Sequence, residues 1–140
     1  MNKLKGFTII ELIVVIAIIA VLATIVLVNV TGYINKGKDA AIKGNLSSLL
    51  TNSAVWLDTN AVYTGFKANT ATGCGVAGPI ALAITAAGGT LVCGETATAW
   101  CGCSVEKVDS AKFYCVDSTG AKIESATNCT TSCTDLSPGC

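Results

Sequence analysis

The chain has no histidine and no arginine among its 140 residues, and its only prolines are Pro79 and Pro138. Lacking histidine, it has neither the side chain most often used as a general base near neutral pH nor the commonest zinc ligand. No glycine fingerprint for a nucleotide follows a strand pattern, and no motif pairs two carboxylates for acid–base work. The sequence therefore predicts no enzyme and no cofactor. Nine lysines balance nine acids, for a net charge of zero, so there is no strongly basic surface for nucleic acid.

What is present begins at once. From Phe7 to Val28 run 22 residues, of which sixteen are Leu, Ile, Val or Phe. As a helix rising ~1.5 Å per residue they reach about 33 Å, enough for a bilayer core of roughly 30 Å. The run is apolar enough to insert even with Glu11 four residues inside it, close to the headgroups. Lys3 and Lys5 precede it with no acid, which predicts a cytoplasmic N-terminus and export of the rest. An ordinary secretory signal would have a shorter apolar region and a small-residue cleavage site after it. Here Ala17, Ala20 and Ala23 lie inside the run, and no polar break comes before Asn29. The alanine spacing suits close helix approach as well as an ordinary membrane helix.

A short basic leader ending in Gly6, then Phe7-Thr8-Ile9-Ile10-Glu11-Leu12 and an unbroken apolar helix, resembles the N-terminus of type IV prepilins and the related pseudopilins. The resemblance is strong over the first 30 or so residues and general beyond. It implies cleavage by a membrane prepilin peptidase between Gly6 and Phe7, with methylation of the new amine on Phe7. It also implies an inner-membrane assembly platform as partner and polymerisation with other copies of the chain. The membrane lipid around residues 7–28 would then be exchanged for helix contacts. The chemistry of Glu11 suits that setting: its carboxylate can neutralise the Phe7 amine of a neighbouring subunit and so set axial register. Family members often carry a proline near the position of Val28; this chain has none, and Gly32, Gly37 and Gly44 are expected to supply compliance instead, at a cost of up to ~1 kcal/mol each.

Residues 1–6 are thus read as the leader, 7–28 as the membrane and assembly helix, and 29–65 as its amphipathic continuation. Within the last, Ile34, Ile42, Leu46, Leu49, Leu50, Ser53 and Leu57 fall mostly at helical steps of three and four. Lys36, Lys38, Asp39 and Lys43 lie on other faces and are expected to be solvated or weakly paired. Asp58-Thr59-Asn60 reads as the helix exit.

Residues 66–140 change character, with all eight cysteines and abundant Gly, Ala and Thr. Ile80–Thr85 fits a strand or a short helix equally. Thr90–Cys93 and Ser104–Val108 are strand candidates, and Thr127–Cys140 reads as a stapled loop. Lys112–Val116 and Ala121–Glu124, joined through Asp117-Ser118-Thr119-Gly120, read as a hairpin. Trp56 and Trp100 are assigned to the core or to subunit contacts. The expected fold is α+β: a long N-terminal helix packed against a small antiparallel sheet in a disulfide-stapled head.

Such a head has few large apolar side chains and needs staples. Cys74, Cys93, Cys101, Cys103, Cys115, Cys129, Cys133 and Cys140 are expected to form four disulfides, in one of 105 pairings, with Cys101 and Cys103 bonded to different partners. Oxidising surroundings fit export. Cys101-x-Cys103 and Cys129-x3-Cys133 lack the paired spacing of a zinc ribbon, so no metal is expected. A calcium loop at Asp117, Ser118 and Glu124 is weighed against turn chemistry, which the glycine favours. The sequons at Asn29, Asn45 and Asn128 are weak signals, and no glycan is expected.

These readings converge on a structural subunit of a type IV pilus, held in the inner membrane before assembly and extracellular after it, serving adhesion, motility or DNA uptake. One alternative is a pseudopilin of a type II secretion or competence machine. The other is a membrane-anchored binding module that never polymerises.

Overall fold

The computed structural model describes residues 6–125. The expectations for residues 1–5, for Thr127–Cys140 and for Cys129, Cys133 and Cys140 lie outside that range. The chain divides into two units, residues 1–34 and 35–140. One helix, α1 (Ile9–Asn60), contributes to both.

In the first unit the described side chains from Phe7 to Ile34 are all exposed. A helix is the one local structure that satisfies this segment's backbone without water, and Thr24 adds a hydroxyl bond to the Val21 carbonyl at 2.7 Å. The helix is long and apolar enough to cross a membrane.

In the second unit α1 turns Ile42, Leu46, Leu49 and Ser53 inward, the 3–4 spacing read from the sequence. The expected stripe is corrected at both ends. Ile34 is 50% exposed and Leu57 37%. After Ser53 the inward place goes to Trp56, whose indole donates to the Val62 carbonyl at 3.0 Å and whose ring packs on Phe66. Leu57, one residue on, is rotated about 100° away. The helix runs on through Gly37 and Gly44, where an added Cβ would meet nothing within 4 Å. It ends at Ala61, whose φ of 60° reverses the chain.

The next helix, α2 (Pro79–Ala86), starts on proline and buries Ile80, Ala81 and Ile84. Of the two readings of Ile80–Thr85, the helix is the one found. Four strands follow: β1 (Val92–Glu95), β2 (Trp100–Val105), β3 (Phe113–Asp117) and β4 (Lys122–Ser125). They form an antiparallel meander in the order β1-β2-β3-β4. The β3–β4 hairpin lies within a residue of where it was expected. Asp117 Oδ1 accepts from the Thr119 and Ala121 amides at 2.8 and 3.1 Å, and Gly120 takes φ 87°. β2 starts at Trp100, four residues before the candidate strand, because small cysteines and glycine there hide the apolar alternation.

The register sorts the sheet's two faces. Cys93 opposes Gly102, which opposes Val116. This inner face meets Leu49 and Trp100, and Phe66 packs on Trp100 at 5.1 Å. Val92, Cys103 and Cys115 share the other face and form a second buried cluster with Cys101 and Phe113. The long N-terminal helix and small antiparallel sheet expected from the sequence are both present.

Candidate functional site

At the start of α1 the motif residues make a closed local circuit. The Thr8 amide and hydroxyl both donate to Glu11 Oε2, at 2.8 and 2.7 Å. The Glu11 amide in turn donates to Thr8 Oγ1 at 3.3 Å. With the helix starting at Ile9, Thr8 is the N-cap and Glu11 the third helical residue, so this is a capping box. It satisfies amides that the first turn would leave unpaired and places a carboxylate where the helix dipole favours negative charge. Sequence reasoning assigned Glu11 a partner on another subunit and overlooked Thr8, although Thr-x-x-Glu ahead of an apolar run was the available signal. Gly6 and Phe7 lie immediately before this box and are exposed, which leaves the bond between them accessible.

The cysteines divide into two groups. Cys74 and Cys93 are bonded, with Cα atoms 6.3 Å apart, and tie the 61–78 loop to β1. Cys101 and Cys103 are disulfide-bonded as well, and with Cys115 they are 2%, 0% and 0% exposed.

Two charged residues of α1 in this unit depart from the solvated or weakly paired set the sequence suggested, while Lys36 is exposed as expected. Asp39 is buried, and its carboxylate accepts the backbone amides of Lys107 and Val108, the latter at 2.9 Å. One turn on, the Lys43 ammonium lies 2.9 Å from Glu106 Oε1 and also pairs with Glu124. It sits 5.3 Å from the centre of the Tyr114 ring. Its pKa is pushed up to about 12, mainly by the hydrogen bond to Glu124, and that bond holds Glu124 below its ordinary value. Residues 39 and 43 share a helix face, so beside its apolar stripe α1 holds the loop after β2 through both residues and β4 through Lys43. The missed signal was their spacing from Ile42 and Leu46, which places them at the rim of the buried face.

Among the described residues no group of three or more His, Cys, Asp or Glu side chains is placed to hold a metal. Of the residues weighed for calcium, Glu124 is engaged by Lys43, and Asp117 Oδ1 also accepts the Thr119 hydroxyl at 2.5 Å.

An exposed apolar helix opened by this capping box, in a chain that also carries a small antiparallel sheet, defines a protein with a membrane-capable N-terminal helix. Residues 1–27 match the family described as the prokaryotic N-terminal methylation motif. The match supports recognition of the chain as a type IV pilin-like or pseudopilin-like precursor, and points to a structural subunit rather than an enzyme. The same motif implies processing by prepilin peptidase and assembly into a pilin-type polymer. No curated protein and no solved structure matches the chain.

Proposed function

We propose that the chain is a subunit of a type IV pilus, cut between Gly6 and Phe7, methylated on Phe7 and polymerised through residues 7–28. The observation carrying this reading is the run of exposed apolar side chains described between Ile9 and Ile34 on α1, most of it inside the stretch that matches a methylation motif. A plain anchor needs apolar residues but neither the processing signal nor a charged residue at the fifth position after the cut. In this reading the inner membrane holds the precursor, lipid contacts are exchanged for helix contacts on assembly, and Glu11 of one subunit pairs with the Phe7 amine of the next.

The test is Glu11→Ala, followed by N-terminal peptide mass spectrometry and by filament yield in sheared surface material. The expected variant is cut, methylated and retained in the membrane, with filament yield reduced by at least about tenfold, the effect of ~1.4 kcal/mol. Normal filament yield would remove the register role. Wild-type chain that is processed but never appears in sheared material would favour the pseudopilin, and chain still beginning at Met1 would favour the anchored binding module.

A further inference from the structure

The Cys74–Cys93 bond borders an open groove of about 360 Å³, lined also by Lys67, Thr70, Val76, Leu91 and Glu95. Cys93 is only partly buried and is the sulfur the groove reaches, while its partner Cys74 is 6% exposed; Cys101, Cys103 and Cys115 are at most 2% exposed and cluster on the other face of the sheet. Thiol–disulfide exchange needs a thiolate to reach one sulfur with the other free to leave, so access decides which bond reacts. The groove opens onto the bond that ties the Cys74 end of the 61–78 loop to β1.

We propose that Cys74–Cys93 is the exchangeable disulfide of the described head, opened by a dithiol reductant entering along the groove, and that its opening unlatches residues 68–78 from β1 while the helix–sheet core stays closed. The reductant's thiolate attacks one sulfur of the pair, forming a mixed disulfide and expelling the other cysteine as a thiolate, which takes a proton from water. The reductant's second thiol, as thiolate, then attacks the mixed disulfide, releases the second cysteine and leaves the reductant oxidised. Two electrons pass to the cysteine pair.

The release is local because other contacts hold both flanks of the loop. The Glu95 carboxylate accepts the Gly65 and Lys67 amides at 2.9 and 2.5 Å. The Tyr63 amide donates to the Ala97 carbonyl at 3.0 Å, and Phe66 is fully buried. On the far side Ile80 and Ile84 anchor α2 in the core. Between these flanks Asn69 Oδ1 collects the Ala71, Thr72 and Gly73 amides, a closure internal to the loop that does not tie it to β1.

The experiment is graded reduction of the full chain in detergent micelles with dithiothreitol, quenching with iodoacetamide and peptide mapping, while near-ultraviolet circular dichroism follows the buried aromatics. Cys74 and Cys93 are expected to be labelled at least about tenfold faster than Cys101 and Cys103, with the aromatic signal retained after the first pair opens. Labelling of Cys101 or Cys103 first, or at the same rate, would overturn the proposal, as would loss of the aromatic signal together with the first pair. The Cys74→Ser, Cys93→Ser double variant is expected to keep that signal and the slow labelling of Cys101 and Cys103. An unfolded double variant would show that the bond is a structural staple instead.

Discussion

Replacing Lys43 by Met keeps most of the side chain's apolar bulk and removes only its charge, so the loss is almost purely electrostatic. Glu106 then decides the outcome. Its side chain is 8% exposed, and no donor other than the Lys43 ammonium reaches Oε1 among the described residues. Removing one partner of a fully buried pair costs about 3–5 kcal/mol, because the remaining charge is stranded. Lys43 keeps 31% of its side-chain exposure, so water already shares the pair, and the expected loss falls to about 2–3 kcal/mol. For a domain of this size that lowers the melting temperature by roughly 10–20 °C. The assay is thermal unfolding of the full chain in micelles, followed by near-ultraviolet circular dichroism. In a Glu106→Gln background the same Lys43→Met change should cost less than about 1 kcal/mol, since no buried charge remains to strand. A shift of under about 3 °C in the single variant, or an equal shift in both backgrounds, would refute the reasoning. The pH profile follows from the second pair of the same lysine, Lys43 with Glu124. Glu124 has a lowered pKa, so its contribution is present above the ordinary carboxylate range and lost as pH falls through the lowered value. Lys43 is raised to about 12, so its contribution is full below the ordinary lysine value and lost as pH climbs towards 12. The contribution of this pair should therefore be flat between about pH 5 and 10.

Asp39→Ala leaves the Lys107 and Val108 amides without their acceptor; a loss of about 2–4 kcal/mol in denaturant unfolding is expected, at the cost of charge-assisted hydrogen bonds. Ala61→Gly should instead stabilise the head by about 0.5–1 kcal/mol, because Ala61 holds a φ of 60° that glycine adopts without penalty, and the same assay would show it as a higher midpoint.

The elements of the head were legible wherever side-chain size alternated with a clear period. The β3–β4 hairpin was readable because Phe113, Tyr114, Cys115 and Val116 precede a turn that only a few residue types build. β2 was not, since Trp100-Cys101-Gly102-Cys103-Ser104 is buried on both faces and therefore shows no alternation of apolar and polar residues. Its cysteines were counted as staples, and their further role as the apolar content of a second cluster could not be seen from spacing. The polar contacts at Asp39 and Lys43 were illegible for a different reason. Their partners lie between 63 residues (Lys43 to Glu106) and 81 residues (Lys43 to Glu124) away in sequence, and a helical charge reads as solvated until something is known to pack beside it.

At the N-terminus the sequence was legible as a motif, but the geometry alters what the motif must do. Glu11 was read as a carboxylate waiting for an amine on another subunit, yet in the single chain it already closes the first turn of its own helix. The two roles are compatible because both Thr8 bonds fall on Oε2, so the second oxygen can receive a donor without dismantling the cap. They also reinforce each other. In the proposed mature chain a cationic amine on Phe7 would sit one residue before the N-cap, at the end of the helix where the dipole disfavours positive charge. An anion held in the first turn offsets that charge whichever subunit supplies the amine. Thr8 then acts as a positioning residue, orienting one oxygen of Glu11 so that the other faces outward before any neighbour arrives. On this argument the chemistry of Glu11 is not that of a lone acid but of a two-residue device, and its hydroxyl half belongs to Thr8.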